Sequence, residues 1–158
     1  MPPAKCSHCG AALDGLVCKY CGAASALMDN MDKEKRALEE YHGLFVSHDN
    51  KMLVKLLKNG FMPDHGKLLI DAGLRCVSML DDSGIDYKVS DAAALRLDAI
   101  VMKLKLKVPD RETEKAIEMF SEKVKEHKAS GDRDAIYGLT AIAAIIIITA
   151  LALWWILS

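Results

Sequence analysis

Four cysteines near the start of the chain, Cys6, Cys9, Cys18 and Cys21, form two Cys-x-x-Cys pairs, each followed at once by a glycine in "CSHCG" and "CKYCG". Two thiolates at this spacing reach one ion from a single turn of chain, and two such pairs complete a tetrahedron of sulfur around Zn²⁺. The residues between the pairs are enough for a short hairpin that folds one pair back onto the other, and "LDG" at 13–15 has the chemistry to turn it. Gly10 and Gly22 stand where the chain turns tightly with its amides directed at sulfur, a conformation that often requires positive φ. Four thiolates close the coordination shell, so a structural rather than catalytic site is expected, with His8 exposed and not a ligand. Iron suits the same four sulfurs, and spacing does not separate it from zinc. A redox pair of the thioredoxin type needs a surrounding βαβ pattern, which the sequence lacks.

The two knuckles resemble the short zinc-ribbon family over about residues 5–23 of the 158. The resemblance implies metal ligation by Cys6, Cys9, Cys18 and Cys21 and no particular function, because ribbons of this kind bind nucleic acid, bind protein or cap another domain. A segment this short buries little apolar surface, so its folding free energy must come from the metal, on the order of 10 kcal/mol or more for structural zinc. Residues 1–24 are therefore expected to be a module held by its ion, with the short "AASA" stretch leading onward.

Beyond that point the apolar spacing is helical, and the chain reads as all-α: a five-helix bundle over 25–128 behind the ribbon. A first helix, Met31 to Val46, carries Met31, Leu38, Tyr41 and Phe45 on one stripe and is capped by Asp29 or Asn30. A second, Asn50 to Asn59, stops at "NG". A third, Asp64 to Leu80, is apolar nearly all round and is expected at the centre of the bundle. Ser90 or Asp91 caps a fourth running to about Lys107, and Pro109 is placed to open a fifth that ends near Lys128. The expected core includes Leu38, Leu56, Leu69, Val77, Leu97 and Ile100, and Cys76 reads as a small buried hydrophobe.

After a hinge at 129–134, residues Ala135 to Leu157 carry no charge, and as a helix they extend about 34 Å, enough to cross a hydrocarbon core of about 30 Å. Tyr137 lies near one end of this run and Trp154 and Trp155 near the other, where amphipathic rings settle at membrane interfaces. Lys123, Lys125, Lys128 and Arg133 precede it and no Lys or Arg follows, so a tail-anchored, single-pass topology with the ribbon and bundle in the cytosol is expected. "MPPAKCSHCG" offers no apolar leader, and a reducing compartment favours metal over disulfide chemistry for the cysteines.

For function, no phosphate loop, nucleophile elbow or metalloprotease spacing of His42, His48, His65 and His127 is present, and an enzyme is not expected. Asp81, Asp82 and Asp86 read as turn residues in preference to a cation site. The 21 Lys and Arg are balanced by 22 Asp and Glu, which is not the footprint of a nucleic-acid binder. Lys51, Lys55 and Lys58 form one stripe on the second helix, a solvated face or one that meets an anionic leaflet. The reading is a membrane-anchored adaptor that presents ribbon and bundle to protein partners. Its alternatives are a tethered nucleic-acid or ribosome binder and an accessory subunit of a larger membrane complex.

Overall fold

The computed structural model of the chain is described over residues 4–25, 30–47, 49–108 and 110–130. The apolar run at 135–157, most of the hinge, Asp29, His48 and Pro109 lie outside the described residues. No helix among the described residues is long and apolar enough to cross a membrane. The chain divides into two compact units, Met1–Val124 and Lys125–Ser158. Of the second, residues 125–130 are described, and they are helical.

The first unit is built from helices. α1 spans Met31–Ser47, α2 Asn50–Asn59, α3 Gly66–Leu80 and α4 Tyr87–Lys105, and a further helix, α5, begins at 111. Side chains fix where they begin. Asn30 Oδ1 accepts the Lys33 amide at 2.9 Å, Asp49 Oδ1 that of Met52 at 2.8 Å, and Asp110 Oδ1 that of Thr113 at 2.7 Å. α4 opens earlier than its sequence suggests, because Asp86, not Ser90 or Asp91, is the cap and accepts the Lys88 amide at 2.8 Å. α3 begins at Gly66 rather than Asp64, because the amides of Asp64 and His65 are turned aside to the Glu34 carboxylate at 3.0 Å each.

The centre of the bundle is α4 and not α3. α4 packs against both α2 and α3 and buries Val89, Ala92, Ala93, Ala94, Arg96, Leu97, Ile100, Val101 and Leu104. Three consecutive alanines let two neighbours approach closely, a feature hidden by the bulkier apolar residues of α3, where Leu74 is left exposed. On α1, Leu38, Tyr41 and Phe45 are buried while Met31, at the start of the expected stripe, faces outward. α5 lays Thr113, Ala116, Phe120 and Val124 onto the same core. Phe120 fits because Gly73 of α3 has no side chain: a Cβ there would stand 2.3 Å from the Phe120 ring.

Candidate metal centre

Residues 4–25 form two copies of one small loop. In the first, the Gly10 amide donates to the Cys6 carbonyl at 2.8 Å, the Cys6 amide to Ala11, and a single antiparallel bridge joins Lys5 to Ala12. Moved along by twelve residues, the pattern recurs: Gly22 to Cys18 at 2.8 Å, Cys18 to Ala23, and Val17 bridged to Ala24. Instead of one hairpin lying between the cysteine pairs, each pair sits in its own loop, and the chain bends at Gly15 and Leu16 to bring the loops face to face. Gly10 and Gly22 have φ of 76° and 71°, the left-handed backbone in which a side chain is strained, as the Cys-x-x-Cys-Gly pattern implies.

All four Sγ atoms lie within 4.8 Å of one another. Cys6 and Cys21 approach to 3.7 Å and Cys9 and Cys18 to 3.6 Å, two contacts exchanged by the same twelve-residue repeat. Sulfurs bonded at about 2.3 Å to one tetrahedral ion stand roughly 3.8 Å apart, so the cluster has the size of a four-thiolate metal site. No disulfide joins any of them. Cys6, Cys18 and Cys21 are buried and Cys9 is exposed, with Ala11, Leu13 and Ala23 closing over the sulfurs.

The electrostatics of the cluster are uneven. The backbone amides of Cys9 and His8 point at the Cys6 sulfur and lower its thiol to about 7, whereas burial raises that of Cys21 to about 12. A divalent cation held by the four would compensate this burial, because it is the thiolate that binds. His8 is exposed, consistent with a shell made of sulfur alone. The cysteine cluster is thus compatible with a zinc-ribbon-like site, and its donors suit zinc or iron.

The ribbon rests on the helices. Val17 belongs to the main hydrophobic core, and its amide and that of Leu16 donate to the Glu40 carboxylate of α1 at 3.2 and 2.8 Å. On the other side, the Gly22 carbonyl accepts the Phe61 amide at 2.6 Å, just past α2. The ring of Tyr41 and Leu56 crowd this spot so closely that a Cβ on Gly22 would lie 2.9 Å from the Gly60 Cα. Gly60 ends α2 for a related reason. Its φ is an ordinary −78°, but a Cβ would fall 2.2 Å from the Tyr41 ring, so the "NG" stop is a matter of space and not of left-handed backbone.

Beneath this junction lies a buried arginine. Arg96 of α4 donates through Nη1 to the Leu57 carbonyl at 3.1 Å and through Nη2 to that of Phe61, and its guanidinium stacks 4.8 Å from the Tyr41 ring. Tyr41 in turn donates its hydroxyl to the Leu56 carbonyl at 2.7 Å. One cation thereby satisfies carbonyls at and just past the end of α2 and supports the ring on which the second knuckle sits.

Arg96, Glu34 and Glu40 were not singled out by sequence reasoning. For Arg96 a signal existed, since "AAALRLDAIV" places a lone charge on the phase of α4 that holds Leu97, Ile100 and Leu104. Glu34 and Glu40 sit in the charged run "MDKEKRALEE" and look like any solvated acid. The other candidates fall into plain structural roles. Asp81 pairs with Lys123 at 3.1 Å, Asp82 accepts the Gly84 amide, and Asp86 caps α4. Cys76 is buried, with its thiol raised to about 11 by that burial. His42 is half-buried against the rings of Tyr41 and Phe45, while Lys51, Lys55 and Lys58 are all exposed.

Compared with protein-family models, with curated proteins and with solved structures, the chain finds no match. The ribbon likeness therefore rests on the cysteine pattern and the geometry of its sulfurs.

Proposed function

We propose that this chain is a non-enzymatic adaptor, anchored in a membrane through 135–157, whose Zn²⁺-held ribbon and helical bundle dock protein partners on the cytosolic side. The observation that carries the reading is the closed four-sulfur cluster seated on the bundle. With every coordination position taken by a thiolate, the ion shapes a surface and has no open position for a substrate. Tyr20, between the cysteines of the second knuckle, is 59% exposed, the kind of aromatic that anchors a protein contact.

A photo-crosslinking residue at position 20 of the full-length protein, activated in native membranes, tests this. Discrete protein adducts that survive nuclease treatment and vanish with Cys18→Ser support the adaptor. Adducts to nucleic acid, or protein adducts indifferent to Cys18→Ser, overturn it.

A further inference from the structure

A cleft of about 410 Å³ opens where α2 and α4 begin, lined by Asn50, Lys51 and Val54 from one side and by Asp86 and Lys88 from the other. Its volume falls within the roughly 300–1,000 Å³ of small-molecule sites. It shares no residue with the metal centre or with the contacts that seat the ribbon. The lining is lopsided in charge. Lys19, Lys103 and Lys123 meet Asp14, Asp64 and Asp81 at 2.6, 2.6 and 3.1 Å, whereas Lys51 makes no ion pair among the described residues. The Lys88 ammonium lies only over the ring of its neighbour Tyr87, 5.6 Å from the centroid. Neither helix has an acid in its first turn to answer these two cations. The side-chain amide of Asn50 makes no hydrogen bond among the described residues either. Asp86 alone in the lining is acidic, and its Oδ1 is spent on the Lys88 amide at 2.8 Å, which leaves Oδ2. Val54, half-buried and packed against the core, adds an apolar wall.

We propose that this cleft binds a phosphate ester that carries a hydroxyl group. A phosphate presents oxygens on several sides, so Lys51, Lys88 and the Asn50 amide can share one group, where a carboxylate has two oxygens to offer. Asp86 sets the character of the rest of the ligand. A second anion beside it would be repelled, so whatever reaches Oδ2 must donate a hydrogen bond. The lining holds two cations against one anion. A phosphate offsets that excess, an ammonium at the ligand's other end would restore it, and a hydroxyl donates without charge. Inorganic phosphate by itself would leave Val54 and Asp86 uncovered. The same chemistry has two sources, a free glycerol phosphate and the headgroup of a phosphoglycerol lipid. Lys55 and Lys58 lie on the same helix as Lys51 and are exposed, but they do not line the cleft, so they separate a site from a general attraction of anions to the lysine stripe.

Acylation of lysine amines, read residue by residue by mass spectrometry, tests this on the full-length protein in phosphatidylcholine nanodiscs, both faces of which are open to solvent. The additions compared are glycerol 3-phosphate, inorganic phosphate, and phosphatidylglycerol in place of part of the lipid. One of the two phosphoglycerol sources is expected to slow modification of Lys51 and Lys88 by about tenfold at saturation, while Lys55 and Lys58 change by less than about twofold. Protection by glycerol 3-phosphate assigns a soluble ester, and protection by phosphatidylglycerol alone assigns a lipid headgroup. Lys51→Gln or Lys88→Gln should weaken binding by about tenfold, and inorganic phosphate should need about tenfold more for the same protection. Asp86→Asn keeps the helix cap, because asparagine serves there equally well, and should cut the ester's advantage over inorganic phosphate to about threefold or less. Protection by neither phosphoglycerol source, equal protection of Lys55 and Lys58, or inorganic phosphate binding as well as the ester overturns the proposal. An advantage that survives Asp86→Asn unchanged overturns the hydroxyl contact.

Discussion

At the scale of single residues, the charged groups that matter most are those buried among the described residues, Glu34 at 2% and Arg96 at 5% exposure. Arg96→Met keeps most of the apolar stem but leaves the Leu57 and Phe61 carbonyls unpaired in the core. We expect a loss of about 2–4 kcal/mol, read as a lower denaturation midpoint at constant slope. Glu34 offers a pH test. Burial works to raise its carboxyl, but the His65 amide, the His65 ring nitrogen and the Asp64 amide outweigh it and hold the group below its ordinary 4.5. A depressed carboxyl contributes stability that is present above that ordinary value and fades as pH falls through the lower, folded one. Wild type should therefore exceed Glu34→Gln in stability by about 1–3 kcal/mol at pH 7, and the gap should narrow below about pH 4.5. A gap that is constant from pH 7 to pH 3 would remove the carboxylate from this role.

At the scale of elements, the informative relation is between ribbon and bundle. The cysteine pattern made the sulfur cluster legible, since only backbone turns and four like side chains are needed to specify it, and the 3.6-residue periodicity gave the helices to within a few residues. What was not legible depends on partners distant in sequence. Val17 looks like a loop residue until it meets α1, Gly60 looks like a turn glycine until Tyr41 is placed beside it, and three alanines carry no large apolar signal though they mark the central helix. These same contacts bear on independence. A ribbon joined only by its linker would leave the helices untouched on metal loss, whereas this one shares Val17 with the core and holds Phe61 through Gly22. Cys18→Ser, or a chelator, is expected to remove about one equivalent of zinc and to unfold residues 4–25. It should also lower the melting temperature of the helices by on the order of 10 °C, because losing the Glu40 and Phe61 bonds and uncovering Val17 costs a few kcal/mol. Calorimetry alongside a metal assay decides the matter. An unshifted helical transition would mean the docking contributes nothing, and unchanged metal content would refute ligation by these cysteines.

At the scale of the whole molecule, two further expectations concern the membrane. The unit Met1–Val124 has its own core, and its large buried side chains, Tyr41, Phe120, Leu56, Leu69 and Leu97 among them, are all supplied from within it. On the proposed anchoring through 135–157, a chain ending at Ser130 is expected to fold and to leave the membrane fraction. A truncated form that stays in the pellet after a carbonate wash would place a second membrane contact in the first 130 residues. If the uncharged run spans a membrane as proposed, charge sets the side on which the rest of the chain stays: Lys123, Lys125, Lys128 and Arg133 lie just before the run, and basic residues close to a span resist translocation at a cost that acidic neighbours such as Asp132 and Asp134 do little to offset. Protease added to sealed cells or right-side-out vesicles should thus leave the ribbon and all five helices intact, and the same protease should digest them once detergent opens the membrane. Replacing the four basic residues by glutamine should weaken that bias and yield a mixed population, part of it cut from outside. Digestion of the unaltered protein in sealed vesicles would reverse the topology and put the four thiols in an oxidising compartment, where a pair of disulfides competes with the metal.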